Sequence, residues 1–387
     1  MTASAASDVT LRVAPPRAEC VIDLAALRAN VRTLADSLVG GAELWAVVKA
    51  NAYGHDVDRV AQEAVAAGAR RLCVATLSEA RQLRNAGLRV PMLIMGPLDS
   101  VGVARAIDLD VAISALSSQI IDAVIAAAAE RPGVTARVHL KVDTGMGRWG
   151  VPHACVLPEL ERLMAAPGVD VEGVMTHFAT ADDLDDGGFF EQQLDCFRDV
   201  IAVVREHLPT ITAHAANSAA TLRTEDAHFD AVRCGVAIYG MSPTQGNPAA
   251  ERLAPVMSVR SYVADIRDIA AGDSVGYGRR FIADGPARIA TVPIGYADGI
   301  RRLLTSRGAA LVNGSRYLVA GTVSMDHLSL VIDDSVAIGD VVTVLGRDGD
   351  DAIRAEEHAA WADTINYEIT CGIAGEPRLQ RRHVTAR

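Results

Sequence analysis

The chain has 387 residues and a formal net charge of −11 at pH 7, with 50% of its residues apolar and 22% charged, a composition able to bury the cores of two domains. The acidic balance argues against a nucleic-acid partner, because such binding rests on lysines and arginines that neutralise phosphates. No apolar run reaches the roughly 18 residues that a membrane-spanning helix needs. The opening MTASAASDVTLRVAPPR has no basic stretch followed by an apolar one, so it reads as no secretion signal. Residues 1–16 are expected to form a flexible tail and the protein to be cytoplasmic. Cys20, Cys73, Cys155, Cys196, Cys234 and Cys371 contain no Cys-x-x-Cys pair, which fits free intracellular thiols and leaves no zinc or other metal site to expect.

Along the chain, a strand-like ECVIDL near residues 19–24 comes first and is expected to pair with the C-terminal domain. Eight short apolar runs follow: ELWAVVK, RLCVAT, VPMLIMG, VAISA, ARVHLKVD, VEGVMTHF, ITAHAANS and AVRCGVAIYG. Between them lie alanine-rich stretches with apolar residues at helical spacing, such as DRVAQEAVAAGA and SSQIIDAVIAAAAE. Continuous apolar strands joined by helical crossovers predict a parallel sheet covered on both faces. Eight such units predict a (β/α)₈ TIM-like barrel over residues 17–248. Counting alone does not show closure, and an open doubly wound sheet stands as the alternative. From residue 249 to 387 the texture changes to β-rich runs broken by Gly-Asp, Asn-Gly and Asp-Gly turns, with helical pattern only around 354–362. This predicts a second, mainly antiparallel β domain.

The active site of a barrel lies at the C-terminal ends of its strands. Those ends carry Lys49, Lys141 with Asp143, His177, Asn217 with Ser218, and Arg233 with Gly235, and the loop DTGMGRWG adds Arg148. Each alone reads more readily as ordinary polar rim, and only the set together points to chemistry. Lys49 is the sharpest: a lysine amine, with a reference pKa of about 10.4, becomes nucleophilic when it is desolvated or set among cations. Its usual product is a Schiff base with a sugar-phosphate carbonyl or with pyridoxal phosphate. The alternative is a lysine that merely snorkels to water. The loops after the seventh and eighth strands often hold phosphate, and Ser218 and Gly235 sit there, although Gly235 by itself reads as a packing glycine.

The segments AVVKANAYGH, KVDTGMGRWG, THFATAD, AANSAA, VRCGVAIYG, SVGYGRRF, VPIGYADG, GTVSMD and TINYEI fall in order over residues 46–369. Together they closely resemble the bacterial alanine racemases, pyridoxal-phosphate enzymes with a barrel and a C-terminal β domain. The resemblance implies that Lys49 carries the cofactor and that Tyr53, Ser218, Gly235 and Tyr367 hold its phosphate. It implies that Arg233 faces the pyridine nitrogen, where a group that keeps its proton leaves that nitrogen unprotonated. Lys49 then serves one face of the substrate and Tyr277 the other, with His177 linking Tyr277 towards Arg233. Met325 and Arg148 would hold the substrate carboxylate, Lys141 matches a lysine often carbamylated, and Tyr277 and Met325 would come from the partner of a head-to-tail homodimer. The activity implied is interconversion of L- and D-alanine, supplying D-alanine for peptidoglycan.

Three departures qualify the pocket but not the chemistry: Asp56 after Gly-His, Ser324 with His327 in SMDH, and the ending GIAGEPRLQRR. The rivals are a barrel-type pyridoxal-phosphate decarboxylase, which needs a C-terminal cysteine acid that Cys371 matches poorly; a one-domain cofactor-carrying protein, which lacks Tyr277; and a racemase of broader range, acting for example on serine.

Overall fold

The computed structural model describes residues 16–375 and 377–385, apart from the side chain of Glu251. All but the last residue of the expected 1–16 tail lies outside them. Strand β1 is Glu19–Asp23. The eight apolar runs then give β2 (Glu43–Val47), β3 (Arg71–Val74), β4 (Met92–Ile94), β5 (Ala112–Ala115), β6 (Ala136–Asp143), β7 (Val169–Met175), β8 (Thr212–His214) and β9 (Ala231–Cys234). They pair in parallel in the order β5-β4-β3-β2-β9-β8-β7-β6, and β5 also pairs with β6. The sheet is therefore a closed barrel and the open alternative falls. Closure requires each strand to be buried on both faces, which is why Leu72, Cys73 and Val74 of β3 or Ile113 and Ala115 of β5 are all inaccessible.

Helix starts follow the local chemistry. Thr76 accepts from the Glu79 amide while the Glu79 carboxylate accepts from the Thr76 amide, a reciprocal cap on Leu77–Asn85. Asp23, Asp99 and Ser117 cap their helices in the simpler way, each accepting one backbone N–H.

The chain divides into two compact units that interleave along the sequence, whereas the sequence reading draws a single cut after residue 248. The barrel unit takes Ile22–Ser258 together with Arg354–Ile373 and His383–Arg387, and the β unit takes Val259–Ile353 with Ala374–Arg382 and the residues up to Val21. In the β unit a sheet runs in the order Ser315–Leu318, Ala309–Val312, Val341–Asp348, Met257–Tyr262, β1, Gln380–Val384. So the ECVIDL strand does enter this sheet, and Arg17 beside it is pinned to the fully buried Asp298 carboxylate at 2.9 Å. A smaller antiparallel sheet joins Asp265–Ile269, Ala287–Val292 and Leu328–Ile332.

Two runs with strand-like composition turn out otherwise. AVRCGVAIYG is strand only to Cys234, after which Val236–Tyr239 forms a 3₁₀ turn. YEITCGI, rich in residues that favour strands, lies largely in the helix Asn366–Cys371. Tertiary contacts override propensity there: the buried Asn366 side chain donates to Ser242 O at 2.7 Å and Glu356 Oε1 at 2.8 Å, and accepts from Gln245 Nε2 at 3.0 Å.

Candidate active site

Within the barrel unit, a cavity of about 320 Å³ opens at the C-terminal ends of the strands and is lined by Lys49, Tyr53, His177, Ser218, Arg233, Gly235, Tyr367 and Cys371 among others. Lys49 follows β2 directly. After it the chain does something unusual: Ala50, Asn51, Ala52 and Tyr53 all have φ between 52° and 54°, a left-handed turn built without glycine. Each such residue costs about 1–2 kcal/mol, so the surroundings must impose the shape. Glu79 Oε1 accepts the Ala50 amide at 2.7 Å, Asn51 Oδ1 accepts the Val57 amide at 2.9 Å, and the His55 ring bonds to Ala52 O and Tyr53 O at 3.0 Å. Gly54 closes the turn at φ 84°, packed so tightly on the Thr370 carbonyl that a Cβ there has no room. His55 thus serves the backbone of the turn.

Burial, and then the Arg148 charge, push the Lys49 amine below its ordinary value, which favours the neutral, nucleophilic form. Tyr53 is buried between Tyr239 and Tyr367, with ring centroids 5.0 and 6.0 Å away. Opposite, the Ser218 hydroxyl accepts from the amides of Gly235 (3.0 Å) and Ala237 (3.3 Å). A Cβ on Gly235 would overlap the Tyr53 hydroxyl and come to 2.9 Å from Cζ. Two tyrosines, the Ser218 hydroxyl and the Gly235 backbone, which lets Tyr53 approach, therefore share one wall of the cavity, a cradle of polar groups suited to an anion.

Arg233 is only 3% exposed, and burial lowers it to about 10, still well above neutrality. Its terminal nitrogens donate to His214 O, Thr176 O and Ala215 O at 2.7–2.9 Å, to His214 Nδ1 at 2.7 Å and to His177 Nδ1 at 3.4 Å. Every one of these acceptors is uncharged. Burial and then Arg233 drive His177 well below the usual imidazole range, so it is neutral. Lys141 is buried and is pushed down to about 7 by burial, then by Arg233 and Arg148. Four basic groups, Lys49, Lys141, Arg148 and Arg233, thus share one electrostatic neighbourhood in the same unit. Arg148 itself is exposed.

The sequence-predicted set is brought together in part. Lys49, Tyr53, His177, Ser218, Arg233, Gly235 and Tyr367 all line the cavity. Tyr277 and Met325 belong to the β unit, where they are 73% and 52% exposed. Sequence reasoning missed the wall residues Met95 and Cys371, which nothing in their local pattern marks. It also missed His139 and His214, since a histidine inside an apolar strand reads as core.

The family model "Alanine racemase, N-terminal domain" matches residues 22–243, and "Alanine racemase, C-terminal domain" matches 256–383. The chain belongs to the alanine racemase family. An alanine racemase of Citrifermentans bemidjiense is 42% identical over 361 residues, spanning 91% of this chain and 95% of that relative. Among solved alanine racemase structures, that of the D-cycloserine producer Streptomyces lavendulae matches with a TM-score of 0.90 and 38% identity over 96% of this chain and 98% of its own. That of Bacillus anthracis with bound L-Ala-P matches with a TM-score of 0.85 and 37% identity over 96% and 95%.

Proposed function

We propose that this protein is an alanine racemase that holds pyridoxal phosphate at Lys49 and interconverts L- and D-alanine, the D-alanine serving peptidoglycan synthesis. The observation that carries the reading is one cavity joining a lysine of lowered pKa, a glycine-floored cradle, and a buried guanidinium with only neutral partners. These fit the cofactor: Tyr53, Ser218, Gly235 and Tyr367 would hold its phosphate, and Arg233 would face its ring nitrogen. When bound, the cofactor supplies an electron sink that makes the substrate's α-hydrogen acidic.

The rest falls to the chain. The Lys49 amine would take or return the α-proton on the D-alanine face. On the L-alanine face the Tyr277 phenol does so, supplied by the second copy in a head-to-tail homodimer. A phenol needs help to act as a base near neutral pH. His177 gives it, because accepting from Arg233 at Nδ1 leaves Nε2–H free to orient the phenol oxygen. Because Arg233 keeps its proton, it would leave a ring nitrogen facing it unprotonated and the electron sink weaker, which would favour return of the α-proton over side reactions. Met325, through its backbone, and Arg148 would hold the substrate carboxylate. Lys141, at about 7, is half neutral at physiological pH and so can take up CO₂; its carbamate would anchor Arg148. The division into barrel and β domains serves this scheme by putting the two bases on different units.

The test is coupled racemisation on a panel of L-amino acids with added pyridoxal phosphate, with Lys49→Ala in parallel. Wild-type protein should racemise alanine fastest and show a visible absorbance band that Lys49→Ala lacks. An unchanged band in the variant would sink the Lys49 assignment, and faster turnover of serine would move the reading to a broad-range racemase.

A further inference from the structure

Beneath Arg233 the barrel interior holds a file of polar side chains. His214 on β8 and His139 on β6 are fully buried, with Nε2 of the first 2.9 Å from Nδ1 of the second. Trp45 packs against both rings. At the inner end Arg233 Nη1 lies 2.7 Å from His214 Nδ1. At the outer end His139 Nε2 lies 2.9 Å from Arg71 Nη1 and 3.4 Å from Glu172 Oε2. Arg71 also places both terminal nitrogens 3.0 Å from that same oxygen, and Arg137 Nε sits 3.2 Å from the other. The backbone is shaped for this meeting. In the pairing of β6 with β7, Val138 faces Val171 but His139 faces Gly173, so Glu172 is the extra residue of a bulge. Gly173 is also required, since a Cβ there would overlap the His139 ring.

Proton counting gives the file a direction. Arginine only donates, and a neutral imidazole donates at one nitrogen and accepts at the other. Two linked neutral imidazoles therefore end in one bare nitrogen and one N–H, yet an arginine stands at each end. If the bare nitrogen faces Arg71, then His214 Nδ1–H points at the guanidinium of Arg233, which is buried and whose other terminal N–H groups are already engaged by three carbonyls and, in a longer shared bond, by His177 Nδ1. If it faces Arg233, then His139 Nε2–H meets Arg71 Nη1 at 2.9 Å instead, but at that end the Glu172 carboxylate accepts from both donors, its Oε2 lying 3.4 Å from Nε2 and 3.0 Å from both Arg71 terminal nitrogens, and no anion does this beside Arg233 among the described residues.

We propose that Glu172 is a positioning residue for Arg233: by accepting Nε2–H of His139 it holds His139 and His214 in the Nε2–H form, leaving His214 Nδ1 bare to take an N–H from Arg233. The proposal rests on the reading that Arg233 faces the cofactor ring. Burial pushes His139 down to about 4 and His214 well below the imidazole range, so both are neutral near pH 7. Desolvation acts upward on Glu172, but the His139 hydrogen bond and the Arg71 charge outweigh it and hold the carboxylate at about 2. Without Glu172 the file reverses, Arg71 donates to His139, and Arg233 loses a partner at 2.7 Å. The group that tunes the cofactor is thus set from the far end of the barrel.

The experiment is nitrogen-15 NMR of histidine-labelled holoenzyme near pH 7, with the two rings assigned by their loss in His139→Gln and His214→Gln. Both should carry hydrogen on Nε2. In Glu172→Ala both should move it to Nδ1, while kcat falls about ten- to a hundredfold, as when an orienting partner is lost, and KM for alanine changes much less. Glu172→Gln, whose amide oxygen still accepts, should keep the wild-type form and recover most of kcat. Hydrogen on Nδ1 of either ring in the wild type, or unmoved hydrogens in Glu172→Ala, would overturn the proposal. The wild-type spectrum alone decides the direction if Glu172→Ala does not fold. Absence of racemisation by the wild type would instead overturn the functional reading and leave the nitrogen shifts untouched.

Discussion

Replacing Gly235 by alanine tests the cradle most directly. The added methyl would overlap the Tyr53 hydroxyl and stand 2.9 Å from Cζ, where ordinary carbon contacts lie at about 3.5–4.0 Å. Tyr53 has little room to yield, because it is buried against Tyr239 and Tyr367. The backbone of Gly235 is tied as well, its amide donating to Ser218 Oγ at 3.0 Å. Overpacking of this kind costs about 1–3 kcal/mol. If that cost falls on the cofactor-bound state, affinity for pyridoxal phosphate drops roughly 5- to 150-fold. If it falls on the fold, the protein melts a few degrees lower without cofactor. Absorbance titration with pyridoxal phosphate and melting of the cofactor-free protein separate the two. Gly235→Ala/Tyr53→Phe, which removes the overlapping oxygen, should regain part of any lost stability. Wild-type affinity together with wild-type melting in Gly235→Ala would refute the cradle.

Other outcomes follow from the same geometry. Tyr277→Phe should slow exchange of the α-hydrogen of L-alanine with deuterium far more than that of D-alanine, and equal losses would count against two bases. For Lys141, a folded-state pKa of about 7 lies below the ordinary value of about 10.4, so between these values the unfolded chain binds the extra proton and stability rises with pH. The urea midpoint of wild type in CO₂-free buffer should therefore gain on that of Lys141→Met from pH 7 to 10, and a constant difference would contradict the burial argument. Ala50→Gly, at φ 52°, should melt no lower than wild type. Glycine relieves about 1–2 kcal/mol of left-handed strain and gives back only about 0.4–1 through the unfolded chain, whereas in an ordinary helix the same change costs about 1. A drop of several degrees would show that the turn is not strained.

The barrel was legible because continuous Val/Ile/Leu runs alternating with amphipathic stretches have few other solutions, and all eight runs became strands. That Lys49, Ser218 and Gly235 would meet in one cavity was legible because they stand at strand ends, which share one mouth of a barrel. The helix Asn366–Cys371 was not, since its fate is decided by Asn366 meeting Ser242 and Glu356 far away in sequence. Nor was the left-handed turn at Ala50–Tyr53, because alanine and tyrosine carry no signal for it, one asparagine marks a single left-handed residue rather than four, and Glu79 and Thr370, which shape it, are remote. Glu172 was hidden by its bulge: simple alternation along VEGVM gives no reason to aim it at His139.

The wall of the cavity has a consequence for synthesis. Tyr367 and Cys371 line it beside Lys49, yet they lie near the end of the chain and are fastened to the barrel by Asn366. A ribosome therefore makes every barrel strand, and then the whole β unit up to Ile353, before the pocket can be finished. If the cavity takes the proposed cofactor, the nascent barrel offers it no complete berth, and loading would wait for the last helix. A premature stop after residue 353 would leave all eight barrel strands and Lys49 in place and still forfeit the site.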